Sequence, residues 1–161
     1  MTKITPWLWF DTQSEDAATF YTSLFDHSRI TGVDRFGEAG PGPAGSVMTV
    51  SFELEGQPMV ALNGGPQFAF TEAISFQVNC ESQDEVDRLW KALTDGGEEG
   101  QCGWCKDRFG VSWQIVPRQL IRLIGDVDRA RAKRAFEAMM QMKRIDIAAI
   151  ERAADGIGLS T

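Results

Sequence analysis

The chain has 161 residues, of which 16 are Lys or Arg and 23 are Asp or Glu, giving a net charge of −7. This length suits one domain with a buried core and is too short for a catalytic domain plus a separate cofactor domain. The negative charge argues against nucleic acid or an anionic membrane surface as a partner. No apolar run approaches the roughly 20 residues that span a bilayer.

The N-terminal sequence and the cysteines both indicate a cytoplasmic protein. The segment MTKITPWLWFD lacks the basic region, apolar core and cleavage site of a signal peptide. Three cysteines, Cys80, Cys102 and Cys105, are too few and odd in number for a disulfide framework. Cys102 and Cys105 form a C-x-x-C motif without a second pair of Cys or His ligands. We therefore interpret this motif as structural and place it on a strand hairpin.

The first half of the chain predicts a strand, a helix and three further strands. Residues 4–10 alternate and are aromatic, and Ser14 begins an amphipathic stretch with an apolar face. Strand-like runs follow at 29–36, 47–54 and 58–63. A Gly/Pro loop at 37–45 and a Glu55-Gly56 turn separate them.

The second half repeats this order. Residues 73–80 alternate, and Ser82 with Glu85 forms a capping box that predicts the start of a helix. A short hairpin segment and a strand at 111–117 follow. Sliding the chain by 68 positions places Ser14 on Ser82, and the apolar positions of the two helices coincide. Each half therefore reads βαβββ.

The segment beyond Pro117 is predicted to be helical. Apolar residues recur at helical spacing from Ala132 to Met142, and Asp146 can cap a last short helix. Residues 118–161 contain 9 basic and 6 acidic side chains, whereas residues 1–117 contain 7 and 17. The tail therefore suits an acidic surface, either of its own chain or of a partner subunit. We predict a single domain over 1–161, with modules at about 3–66 and 71–117 and a tail at 118–154.

Three phrases, SEDAATFYTSLF, ALNGGPQFAF and CGWCKDRFGVSWQIVP, together with the tail QMKRIDIAAIE, carry a family resemblance. The chain resembles the vicinal-oxygen-chelate (glyoxalase/bleomycin-resistance/dioxygenase) superfamily. Within it, the chain is similar to the PhnB-like branch often labelled 3-demethylubiquinone-9 3-methyltransferase. The resemblance implies an α+β fold of two βαβββ modules, whose curled mixed sheets surround a concave site, with C-terminal helices. It also implies a homodimer.

The resemblance further implies positions for a metal in metal-dependent members. Here those positions are Thr5, Ala61 (or Val60), Ala73 and Gln114, of which only Gln114 could coordinate an ion, and weakly. The only histidine, His27, follows the first helix and is interpreted as a surface residue. The turn Asn63-Gly64-Gly65 has no helix pattern behind it, so S-adenosylmethionine has no visible binding motif. We expect neither a metal nor a cofactor.

Strand alternation separates a helix-facing side from an open side. The helix-facing set comprises Ile4, Leu8, Phe10, Ile74, Phe76, Val78, Trp113 and Ile115. The open set includes Thr5, Thr49, Ala61, Ala73 and Ser112, and it supplies the candidate ligand-binding residues Trp7, Trp9, Ser51, Asn63, Ser75, Gln77 and Gln114. Aromatic walls with a few neutral polar groups suit a small molecule. Alternatively, the two tryptophans fill the barrel or a dimer seam.

Glu53 is the one carboxylate that we place on the open side, which makes it a weak candidate for a general base. A solvated Glu at a strand edge is the alternative. Three functions stay open at this stage. The chain is a protein that binds an aromatic or lipophilic small molecule, a metal-dependent lyase, isomerase or dioxygenase, or the methyltransferase of the label. Whether it is an enzyme is undecided.

Overall fold

The structure is a computed structural model, and it describes residues 2–157. Residues 2–70 and 71–157 form two compact units. Within the described residues the chain forms two four-stranded mixed sheets and five helices, which confirms the predicted α+β class. None of the helices in this part of the chain is long and apolar enough to cross a membrane.

The first unit is a βαβββ module. Its elements are β1 (Trp7–Phe10), α1 (Ser14–Leu24), β2 (Arg29–Arg35), β3 (Val47–Leu54) and β4 (Gln57–Asn63). The strand order is β1-β4-β3-β2. The β1 and β4 strands are parallel, and the other neighbours are antiparallel.

Burial along β1 alternates, as expected for a sheet with one covered face. Leu8 and Phe10 are 4% and 3% exposed, whereas Trp7 is 59% exposed. Helix α1 covers the buried face with Ala17, Ala18 and Tyr21, and the Tyr21 ring lies 6.4 Å from that of Phe52. The period of two therefore holds the two tryptophans of β1 on the side away from the helix.

The second unit contains an equivalent module and the tail. Its elements are β5 (Phe76–Cys80), α2 (Gln83–Thr94), β6 (Glu98–Glu99), β7 (Trp104–Lys106), β8 (Ser112–Pro117), α3 (Arg118–Ile124), α4 (Arg129–Met139) and α5 (Ile147–Ala154). The strand order β5-β8-β7-β6 matches that of the first module, strand for strand. The first strand pairs in parallel with the last one in both modules, so the predicted duplication is confirmed.

Local capping explains where two of the helices begin. The Ser82 hydroxyl accepts the Glu85 backbone N–H at 3.2 Å, and the Glu85 carboxylate accepts the Glu81 N–H at 2.7 Å, which confirms the predicted cap. The Asp146 carboxylate accepts the Ala149 N–H at 2.9 Å and caps α5, as predicted.

The predicted starting points of β1 and β5, the first strand of each module, are wrong. Both first strands start three residues later than predicted, at Trp7 and Phe76. The alternation predicts that Ile4 and Ile74 face the helices, but they are 81% and 60% exposed. Alternation continues before each strand, but the paired residues of the sheets begin only at Trp7 and Phe76, so Ile4 and Ile74 lie outside the pairing.

The predicted faces of Ala61 and Asn63 are also wrong. The register pairs Leu8 with Ala61 and Phe10 with Asn63, so both residues share the helix-facing side. Ala61 is fully buried. The open side of β4 carries Val60 and Leu62 instead, opposite Ser51 and Thr49. The segment PMVALN is nearly uniformly apolar, and pairing with β3 sets its phase.

The tail packs on the second module of its own chain. Val116 and Leu120 form a buried cluster with Ala135, Ile145, Ile150 and Ala154. The backbone N–H groups of Cys102 and Gly103 donate to the carbonyls of Met142 and Lys143. Basic tail residues pair with acidic module residues in the ion pairs Arg118–Glu81, Lys143–Glu99 and Arg144–Asp87. The basic character of the tail thus matches the surface on which it lies.

Ile145 tests this docking. Its side chain is fully buried, whereas that of Val127, also in the tail, is 97% exposed. We expect Ile145→Ala to lower the free energy of unfolding by about 2–5 kcal/mol, because it leaves a cavity between tail and module. Val127→Ala should change it by less than about 0.5 kcal/mol. Denaturant unfolding measures both, and equal effects would contradict the described docking.

Candidate functional site

The first module contains a cleft at one end of its strands, where β1 and β4 end and β3 begins. Its volume is about 730 Å³. Apolar side chains dominate the lining, and among them are Trp9, Phe36, Met48 and Leu62. The polar lining comprises Asp11, Thr12, Glu15, Ser46, Asn63 and Gln67. We call it the Trp9 cleft.

Three contacts hold Trp9 in the wall of this cleft. Its indole N–H donates to the Gly65 carbonyl at 2.9 Å. The Phe68 ring meets the Trp9 ring edge-on, with the ring centroids 5.0 Å apart. A Cβ at Gly64 would lie 2.3 Å from the indole ring, so only glycine allows this close approach. The turn after β4 therefore fixes the orientation of Trp9.

Phe36 also lines the cleft, and the Gly/Pro loop covers its ring. A Cβ at Gly40 or Gly42 would lie 2.9 Å or 2.5 Å from the Phe36 ring. The loop closes through the Phe36 N–H, which donates to the Ser46 carbonyl at 2.9 Å, and through the Gly45 N–H, which donates to the Phe36 carbonyl at 2.8 Å. The glycines of this loop thus allow the backbone to pack on an aromatic ring.

Asn63 joins the cleft to the helix. Its Oδ1 accepts the backbone N–H of Ser14 at 2.9 Å, and its Nδ2 donates to the Val47 carbonyl at 3.1 Å. Gln13, at the N-cap position, makes no side-chain cap, so Asn63 satisfies a helix N–H that would otherwise lack a partner. This amide fixes the beginning of α1 against β3.

The structure divides the predicted site residues of the first module. Trp9 and Asn63 line the Trp9 cleft, although Asn63 reaches it from the other face of the sheet. Trp7 and Ser51 lie on the open side, outside the lining. Glu53 is partly exposed, and its Oε2 accepts from the Arg29 Nε at 3.3 Å. The Arg29 side chain is 73% exposed, so this is a solvated ion pair at the sheet edge.

The other predicted site residues lie in the second module. Gln114 donates from Nε2 to the Ser75 hydroxyl at 2.8 Å, and Gln77 donates to Asn79 Oδ1 at 2.8 Å. The register also pairs Trp104 with Gln114, which places this half-buried tryptophan on the same side. Sequence reasoning did not include Trp104, because its strand has only three residues and shows no alternation.

The residues at the metal positions of the superfamily do not fit a divalent ion. Thr5 and Ala73 are exposed residues that precede the first strands, Val60 is aliphatic, and Ala61 is buried on the helix side. Gln114 supplies one amide. Within residues 2–157 there is no group of three or more His, Cys, Asp or Glu side chains arranged to hold a metal. His27 is exposed after α1, where the sequence placed it.

The cysteines are free, and two of them are buried. Cys102 lies in the turn between β6 and β7, and Cys105 lies within β7, as the hairpin prediction required. Burial raises the pKa of the Cys105 thiol to about 12, and that of Cys80 likewise to about 12. Both thiols are therefore protonated at neutral pH and poorly suited to act as nucleophiles.

The glycine pair after β4 does not fit a nucleoside cofactor. Gly64 lies against the Trp9 ring, and the Gly65 carbonyl accepts the indole N–H. The residues that follow lead to β5, so no helix N-terminus stands behind the turn. Both glycines serve the packing of Trp9.

Comparison with known proteins agrees with this architecture. A family model described as 3-demethylubiquinone-9 3-methyltransferase matches residues 2–116. The chain belongs to this family. A solved structure from Bacillus cereus, described as a putative 3-demethylubiquinone-9 3-methyltransferase, PhnB protein, is 37% identical with a TM-score of 0.67. The alignment covers 72% of this chain and 99% of that one. The predicted PhnB-like resemblance is confirmed.

A second structure supports the fold alone. Protein PA1353 from Pseudomonas aeruginosa is 23% identical with a TM-score of 0.60, over 73% of this chain and 98% of that one. Among curated proteins the sequence has no match. The family match ends at residue 116, so the helical tail of this PhnB-like chain lies outside it.

Sequence reasoning missed Asp11, Glu15 and Phe36 as cleft residues. Asp11 directly follows β1, and Phe36 directly follows β2, so both stand where a strand ends at the same edge of the sheet. A polar or aromatic residue immediately after a strand was the signal available.

Gly64 provides the test of the cleft wall. In Gly64→Ala the added methyl group would clash with the Trp9 ring, 2.3 Å away. We expect this variant to lower the free energy of unfolding by about 1–3 kcal/mol and to change the near-UV circular dichroism. Gly37→Ala is the matched control, because a Cβ there meets nothing within 4 Å. If both variants behave like the wild type, Trp9 does not pack as described.

Proposed function

We propose that this PhnB-like protein binds a small aromatic or lipophilic molecule in the Trp9 cleft. The observation that supports this is a cleft of about 730 Å³ with apolar walls. Ligand sites are typically concavities of about 300–1,000 Å³ with mostly apolar linings and a few polar groups. The cleft has this size and this composition.

The walls are suited to a ligand because they are held in place without one. Trp9 is fixed by a hydrogen bond and a ring contact, and the Asn63 amide is fixed by two hydrogen bonds. A preformed wall reduces the entropy lost on binding. The Gln67 side chain and the two carboxylates at the rim add polar groups that orient a bound molecule.

The two alternative functions lack comparable support. A metal-dependent lyase, isomerase or dioxygenase requires ligands that the residues at the superfamily positions do not supply. The methyltransferase in the family description requires a cofactor site, and the glycine pair after β4 packs on Trp9 instead. Catalysis at the cleft is not part of this proposal.

The experiment uses an uncharged fluorescent probe, N-phenylnaphthylamine, titrated into the full chain. We expect saturable binding, weakened about tenfold by Trp9→Leu, because a wall of the cleft loses its aromatic surface. Trp7→Leu is the matched control: Trp7 lies on the same strand but outside the lining, and its effect should stay within about twofold. Equal effects of the two variants would contradict the location of the site.

We also propose that two copies associate as a C2 homodimer. Strand β2 is exposed along its whole length and stands at the sheet edge, where one row of its backbone groups lacks a partner strand. Ile30 and Val33 on this strand are 38% and 41% exposed. A second copy of the same strand would satisfy the edge and cover these side chains.

Sedimentation tests the dimer. The full chain should sediment as a dimer at micromolar concentration, and Val33→Lys should shift it to monomer, because it would place a charge in the proposed interface. Ser23→Lys, which adds the same charge on exposed α1 surface, should leave the dimer intact. A monomeric wild-type chain would disprove the proposal.

A further inference from the structure

The charged side chains that line the Trp9 cleft are Asp11 and Glu15, and both are acidic. Among residues 2–157, no Lys or Arg belongs to the lining. Within residues 2–157 neither carboxylate is part of an ion pair, in contrast to Glu53, which pairs with Arg29. The cleft therefore presents two negative charges that no basic side chain neutralises.

Both acidic residues lie next to the end of a secondary-structure element. Asp11 directly follows β1, and Glu15 lies in the first turn of α1. The wall of the same cleft contains the rings of Trp9 and Phe36. Aromatic rings attract a cation through their quadrupole, and carboxylates attract it through charge. The aromatic rings and the carboxylates thus both favour a positively charged ligand.

An anionic ligand is disfavoured, although α1 begins at the cleft. The Ser14 N–H, one of the backbone donors at the start of the helix, already donates to Asn63 Oδ1 at 2.9 Å. Glu15 and Asp16 add negative charge in the first helical turn. An anion in the cleft would therefore meet carboxylates without gaining that backbone donor.

We infer that the Trp9 cleft selects an organic cation, namely an amine or quaternary ammonium attached to an aromatic or aliphatic body. The inference rests on the proposed function and names the chemical class of its ligand. The charged group lies near the carboxylates of Asp11 and Glu15, where it also meets the aromatic rings of the wall, and the apolar body lies against the rest of the apolar lining.

Negative charges at the start of α1 also have a structural role, so a control variant must separate that role from ligand binding. Acidic residues in a first helical turn stabilise the helix whether or not a ligand is present. Asp16 lies in that turn beside Glu15, but it does not line the cleft. Asp16→Asn therefore removes one charge from the helix start and leaves the cleft lining unchanged.

The experiment compares three naphthalene probes of matched shape by calorimetry with the full chain: naphthylmethylammonium, naphthylmethanol and naphthoate. At low ionic strength the ammonium should bind about three- to tenfold more tightly than the alcohol, and the naphthoate more weakly than either. Added salt should reduce the advantage of the ammonium. The double variant Asp11→Asn, Glu15→Gln should remove that advantage and leave the affinity for the alcohol unchanged. Asp16→Asn should preserve the advantage.

The outcomes separate the two proposals. Equal affinity of the wild type for ammonium and alcohol, tighter binding of naphthoate, or equal loss in Asp16→Asn would overturn the cation selectivity while leaving a binding cleft. If none of the three probes binds, or if Trp9→Leu binds all three undiminished, the Trp9 cleft is not a binding site. The selectivity then falls together with the proposed function.

Discussion

The parallel register between β1 and β4 determines where the site of the first module lies. It buries Leu8 beside Ala61 on the side of α1, and the strand period of two then places Trp9 beside Leu62 on the other side. A shift of one residue would expose Leu8 and Phe10 and bury the two tryptophans. The burial that stabilises the module and the position of the cleft wall are therefore set by one pairing.

The regular elements follow from local sequence, and the exceptions have a common cause. The capping box at Ser82 and the Asp146 cap depend on residues close together in the chain, and both are confirmed. The repeat at an offset of 68 is a match between two such local patterns, and it is confirmed as well. The face of Ala61 could not be predicted, because β4 is apolar on both sides and its phase is set by pairing with β3. Ile4 and Ile74 continue the alternation, but they precede the paired residues of the sheets, which begin at Trp7 and Phe76.

Most residues of the Trp9 cleft could not be predicted from the sequence, because contacts between segments far apart in the chain bring them together. The Trp9 indole and its acceptor at Gly65 are separated by 56 positions, and Phe36 becomes a wall only when the glycines of the following loop pack on its ring. Trp9 was predicted as a ligand-binding residue from its alternation alone. Asp11 and Glu15 resemble ordinary surface charges until the end of β4 is placed beside them.

The family shares a fold, whereas activity depends on side chains that the fold does not dictate. At Gly64, a requirement for glycine that comes from packing can be distinguished from one that comes from cofactor binding. A glycine that cradles a cofactor leaves the space of its missing side chain to the ligand, but here the Trp9 ring occupies that space. The requirement for glycine thus arises from packing within the first module. This packing fixes one wall of the Trp9 cleft, so at this turn the glycines serve the shape of the cleft and not the cofactor site that a methyltransferase requires.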